Sequence, residues 1–189
     1  MKKIVMLAVL AGSASVAMAD DLIFIDLSVA NQVTVTANAA GLSSAAATGG
    51  TGTGILLANF WTGTGTVTGT FSNGVGGFRS VLGSAGDNSP SLYRFGTTET
   101  GLNIWSFATT ATFAVGQQAF SSSFVATLTP AAYTEMLANA GSGNIYFQAD
   151  DSSDIPTAVV LGTWRVVPTP GAAAVLGLGG LALGRRRRA

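Results

Sequence analysis

Residues 22–37 read Leu22-Ile23-Phe24-Ile25-Asp26-Leu27-Ser28-Val29-Ala30-Asn31-Gln32-Val33-Thr34-Val35-Thr36-Ala37. Ile23, Ile25, Leu27 and Val29 share one parity, and Val33, Val35 and Ala37 continue it with Thr34 and Thr36 opposite. Side chains alternate across a strand, so a period of two marks a sheet with one buried face. Ala30-Asn31-Gln32 interrupts the run and predicts a turn between two strands.

The pattern extends outward from there. Ile55-Leu56-Leu57-Ala58-Asn59-Phe60-Trp61 reads as a strand buried on both faces, and 64–71 as a β-branched, glycine-interrupted one. Residues 91–95, 103–107, 120–128, 145–148 and 158–166 bring the set to about eight to ten strands, separated by Gly/Asn/Ser/Asp clusters. Such close spacing predicts an all-β fold, a sandwich or jelly roll, rather than alternating strands and helices. Residues 41–54 are rich in Gly, Thr, Ser and Ala and predict a mobile stretch. One helix is expected. Thr129 suits its N-cap, Pro130 its first position and Gly141 its stop, with Tyr133, Met136 and Leu137 on an apolar face.

Charge divides the chain into three parts. Charged residues make up only 10% of the 189 residues, and the formal net charge is zero. Lys2 and Lys3 stand at one end and four arginines at the other, while residues 20–184 hold three arginines against nine acids, a net of −6. Cysteine and histidine are absent, which excludes disulfides, thiol nucleophiles and a Ser-His-Asp triad. The body has no lysine for a phosphate loop and no basic face for nucleic acid.

Residues 1–19 have the order of a secretory signal peptide: basic Lys2-Lys3, an apolar stretch from Ile4, and Ala17-Met18-Ala19 as a small-x-small cleavage site. Cleavage between Ala19 and Asp20 would leave residues 20–166 as the exported domain. At the other end, Val167-Pro168-Thr169-Pro170 precedes an uncharged run, 171–184, and then Arg185-Arg186-Arg187-Arg188. Fourteen helical residues reach about 21 Å against a hydrocarbon core of about 30 Å, so length leaves the span undecided. The order of parts points to a membrane segment, with the arginines kept cytoplasmic by the positive-inside rule.

This C-terminal arrangement, over residues 167–189, resembles the PEP-CTERM sorting signal, with Thr169 where that signal usually has Glu. The resemblance implies a bacterial protein that meets the export machinery and then an exosortase, a membrane transpeptidase. It also implies an intermediate anchored in the inner membrane, followed by release to the cell surface or an extracellular polysaccharide matrix. Retention as a simple membrane anchor is the alternative.

Candidate chemistry in the body is sparse. Asp150, Asp151 and Asp154 form the one dense carboxylate cluster, able to supply part of a Ca²⁺ shell or to act as a solvated turn. Asp87, Glu99 and Glu135 are the other carboxylates a glycosidase would have to pair, and nothing in the sequence pairs them. Trp61, Tyr93, Trp105, Tyr146 and Trp164 would stack on sugars if exposed and fill the core if not. No catalytic residue and no cofactor beyond Ca²⁺ is assigned. The expectation is an exported, non-enzymatic protein with a structural or adhesive role. A carbohydrate-binding module of the exopolysaccharide matrix is second, and a carboxylate-based glycoside hydrolase third.

Overall fold

A computed structural model describes residues 20–49, 54–75, 79–82, 90–105, 111–139 and 141–167. The signal-peptide residues through Ala19, and Pro168, Thr169, Pro170, 171–184 and Arg185 to Arg188, lie outside the described residues, as does Asp87.

The fold is all-β with one short helix. In chain order the strands are β1 (Asp21–Asp26), β2 (Gln32–Ala37), β3 (Ala47–Gly49), β4 (Ile55–Leu57), β5 (Gly69–Val75), β6 (Arg79–Ser80), β7 (Ser91–Arg94), β8 (Leu102–Trp105), β9 (Ala111–Phe113), β10 (Phe120–Ser121) and β11 (Ser123–Thr127). Helix α1 (Pro130–Ala138) follows, then β12 (Ser142–Phe147) and β13 (Val159–Val166). Nine strands close into one barrel in the order β1-β13-β12-β4-β8-β7-β5-β11-β2, and two short sheets, β6/β10 and β3/β9, lie apart from it. A single ring thus replaces the expected sandwich or jelly roll. The period of two is common to both, because each buries one face, and nothing in it says whether the first and last strands meet.

They do meet, and in parallel. An odd number of strands cannot close with antiparallel neighbours alone. β1 and β13 form the parallel pair, with Ile23 opposite Trp164 and Ile25 opposite Val166, and the other eight junctions are antiparallel. Closure removes the open edges that would invite pairing with another chain. Because β1 and β13 run the same way, the chain enters at one end of the barrel, at Asp20, and leaves at the other, at Val167. Both points are tied down: Asp20 O accepts from Thr163 N (2.9 Å), and Val167 N donates to Ile25 O (2.9 Å).

The alternation in residues 22–37 holds with two exceptions, Leu22, which is buried on the opposite parity, and Val29. Ile23, Ile25, Leu27, Val33 and Val35 are all buried inside the ring, while Val29 lies past the end of β1 and is exposed. Asn31, with φ of 58°, turns the chain back, a conformation asparagine tolerates better than most residues. The interior is apolar, joined by Ile55, Leu57, Ile104, Ile145, Phe147 and Trp164, and the outer positions mix Thr, Ser and Asn with apolar residues such as Phe24, Val75 and Val125. That is the inverse of a lipid-facing barrel, which keeps its apolar side outward. No helix among the described residues is long and apolar enough to cross a membrane.

Residues 41–49, expected to be mobile, are held in place. Ser43 N donates to Gln117 O, Ser44 N to Leu161 O, and β3 pairs with β9. The β12–β13 connection turns back over the outside of β8, where Asn103 Nδ2 donates to Ala149 O (3.3 Å). Leu56, on the outward side of β4, is fully buried, so that strand is covered on both faces as expected, but it ends at Leu57 and residues 58–61 turn away instead of continuing it.

Helix α1 spans the end of the barrel from which the chain leaves. Thr129 caps it, its Oγ1 accepting from Ala132 N (3.2 Å), and Pro130 opens it. It stops at Asn139, two residues before the expected Gly141. Ala132 and Met136 are buried, and Tyr133 lies half-buried with its hydroxyl donating to Leu27 O (2.8 Å). Leu137, expected on the buried face, is instead 42% exposed.

Candidate functional site

The most elaborate polar arrangement lies beneath α1. Arg94, the last residue of β7, is almost wholly buried, and each of its five N–H donors has an acceptor. Nε donates to Glu99 O (3.0 Å), NH1 to Val67 O (3.4 Å) and Glu135 Oε2 (3.3 Å), and NH2 to Gly63 O (3.1 Å) and Thr97 O (2.9 Å). Its guanidinium also stacks 4.7 Å from the centre of the Trp61 ring. The planar, five-donor fork of arginine suits such a node, since no other side chain binds this many carbonyls at once. Burial pulls the Arg94 pKa down and the charges of Glu135 and Glu99 push it back up, with the net direction downward.

Glu135 reaches down from α1 into the same node. Its Oε1 accepts from Thr66 N (2.6 Å), Thr66 Oγ1 (2.7 Å) and Val67 N (3.3 Å), and its Oε2 pairs with Arg94. Burial alone would raise its pKa. Hydrogen bonds from Thr66 and Val67 and the Arg94 charge outweigh that, and hold the carboxyl below its usual range. Thr62 N and Oγ1 bond Asn139 Oδ1, tying the other end of the loop to the helix. Gly65 is where the backbone crosses the ion pair, and a Cβ there would overlap Glu135 Oε2 and Arg94 NH1.

Above the node lies an open cleft of about 390 Å³, formed by residues 62–66 with Arg94, Glu135, Ala138 and Asn139. Its charged groups are already engaged with one another and with the backbone. They hold loops 62–67 and 95–99 and the helix to the barrel mouth, and neither is a free acid, base or anion-binding group. Trp61 Nε1 is buried without a hydrogen-bond partner, while its ring contacts Phe60, Phe71 and Arg94.

The expected carboxylates lie apart in function. Glu99 is buried, with Oε1 accepting from Gly101 N (2.6 Å) and Oε2 from Ser152 N (3.1 Å) and Oγ (2.8 Å), so it fastens the β12–β13 connection. Asp150, Asp151 and Asp154 share one turn but do not converge. Asp154 Oδ2 accepts from Asp150 N (2.9 Å), and Asp151 Oδ1 from Ser153 N (2.7 Å) and Oγ (2.6 Å). Asp150 Oδ1 faces Asn103 Nδ2 at 3.5 Å. Its pKa is raised, by burial first and by Asp154 and Asp151 after it. Among the described residues no group of three or more acids is arranged to hold a metal ion.

Of the aromatic candidates, Trp61 and Trp164 belong to the core, and Trp164 Nε1 donates to Ala58 O (3.1 Å). Tyr93 and Tyr146 are half-buried on the outside of the barrel. Tyr93 lies 5.9 Å from Phe95, centre to centre, and Phe95 is exposed. The Trp105 side chain lies outside what is described. Neither the role of Arg94 nor its pairing with Glu135 is visible in the sequence, where the two are 41 residues apart. The only available signal was a lone arginine at the end of an apolar strand. In comparisons with known proteins, no family model, curated protein or solved structure matches the chain.

Proposed function

We propose that this chain is an exported protein with a non-catalytic, structural or adhesive role at the cell surface or in the extracellular matrix. It would be brought there by an N-terminal signal peptide and a PEP-CTERM-like tail handled by an exosortase-like transpeptidase. The observation supporting the non-catalytic reading is the use of the ionisable groups at the barrel mouth: among the described residues, the buried Arg94 and Glu99 and the partly buried Glu135 are hydrogen-bonded to backbone, side-chain hydroxyls or each other, and each fastens a loop. A catalytic acid or base needs a proton or lone pair free for substrate.

The test is to express the full chain in an exosortase-containing bacterium, fractionate the cells, and determine both termini of the exported form. An N-terminus at Asp20 and loss of the residues beyond Pro170 are expected. A cytoplasmic chain that still starts at Met1 refutes the reading.

The exposed Phe95, beside the half-buried Tyr93, favours a second reading, a carbohydrate-binding module of the exopolysaccharide matrix. Specific binding on a glycan array, lost in Phe95→Ala, would replace the first reading with this one.

A further inference from the structure

Helix α1 has an unusual outer face. A helix lying on a protein surface ordinarily turns charged or strongly polar residues to water. Here Ala132 and Met136 enter the barrel, and the exposed positions are Pro130, Ala131, Thr134, Leu137 and Ala138. None is charged, and four of the five are apolar. The one acidic residue of the helix, Glu135, points inward and is neutralised by Arg94. The helix has no basic residue in its last turn and no acidic one in its first.

The chain leaves the barrel beside this face. Val166 N donates to Gly141 O (2.8 Å), just past the helix, and Val167 N is still bonded to Ile25. Only Pro168, Thr169 and Pro170 separate this anchored point from the uncharged run that starts at Gly171. Four Cα steps reach at most about 14 Å. If residues 171–184 enter a bilayer, there is no slack to hold the barrel away from it.

We propose that the outer face of α1 is a membrane-docking surface, and that the barrel rests on the bilayer by this end while the tail remains attached. The occupant is a lipid surface, and the inference rests on the membrane role proposed for the C-terminal segment. The helix face brings no charge to the headgroup boundary and transfers apolar area to lipid, and the acid at this end of the barrel, Asp26, accepts from Ser28 N. Docking also places the 62–66 cleft, which adjoins Ala138 and Asn139, at the membrane side of the molecule.

The absence of cysteine gives a clean experiment. Single variants Ala131→Cys, on the outer face of α1, and Gln117→Cys, at the opposite end of the barrel, are made in the full chain and labelled with an environment-sensitive fluorophore. Each is reconstituted in vesicles of phosphatidylethanolamine and phosphatidylglycerol. The Ala131→Cys probe should shift to the blue, lose quenching by aqueous iodide and gain quenching by nitroxide lipids, while the Gln117→Cys probe keeps its aqueous behaviour. Flotation separates the two levels of the argument. A chain that does not float with vesicles overturns the membrane role of the tail. A chain that floats with both probes equally open to iodide overturns the docking surface alone. Shielding of the Ala131→Cys probe without vesicles also overturns it, in favour of a second copy or the protein's own tail.

Discussion

Replacing Arg94 with methionine keeps most of the side-chain volume and removes all five donors. Four carbonyls, those of Gly63, Val67, Thr97 and Glu99, and one carboxylate oxygen of Glu135 then lose a partner. Hydrogen bonds to charged groups contribute about 1.5–3 kcal/mol each in isolation, but a network does not sum. Two of these acceptors, on Gly63 and Glu135, sit at the cleft, where water can take the place of a lost donor. Glu135 also keeps its bonds from Thr66 and Val67. The net cost therefore falls near that of breaking a buried pair, about 3–5 kcal/mol. For a domain of about 150 residues this lowers Tm by about 6–20 °C. Urea and thermal unfolding followed by circular dichroism measure it, and tryptophan emission reports the loss of the cation from the Trp61 face. Arg94→Lys should recover less than half of the loss, because an ammonium lacks the fork. If Arg94→Met unfolds within about 1 kcal/mol of the parent, the guanidinium is not what holds these loops and the reasoning fails.

Other outcomes follow from the same geometry. Gly65→Ala should destabilise by about 1–3 kcal/mol, since its methyl would press on the ion pair, and Glu135→Ala, which removes the overlapped carboxyl, should reduce that penalty in a double-mutant cycle. Gly143→Ala should destabilise similarly, read by melting temperature, because the added Cβ meets the fixed Ala58 O and lies 2.9 Å from Trp164 Nε1. The lowered pKa of Glu135 contributes stability above the ordinary glutamate range that is lost as pH falls through it toward the folded value. The raised pKa of Asp150 has the opposite sign: its charge opposes folding at neutral pH, and acid relieves it. Glu135→Gln should therefore flatten the acid limb of a stability–pH curve and Asp150→Asn should steepen it. Millimolar calcium should leave the melting temperature unchanged and give no binding heat, because the Asp150, Asp151 and Asp154 carboxylates serve their own turn.

How much was legible varied with the range of the interaction. The alternation around Ile23–Val35 fixes strand identity and inward face because both depend on neighbours two residues apart. The cap at Thr129 and Pro130 is equally local, and it placed the helix start. The stop at Asn139 is not legible in the same way, because its side chain is held by Thr62, 77 residues away in sequence. Leu137 fits either side of a short helix by its spacing, and the barrel mouth takes Ala132, Met136 and part of Tyr133 instead.

The sequence by itself determined an all-β body with one capped helix, and the charge segregation that suggests export and sorting. Those properties reside in order and composition, which need no third dimension. Tertiary structure decided that the strands close on themselves, which rests on a parallel pairing between the first and last strands of the described chain. It also decided that Arg94, Glu99 and Glu135 are structural fasteners. A carboxylate's role depends on which donors surround it, and here those donors come from segments up to 69 residues distant in sequence. Only folding brings them within hydrogen-bond range.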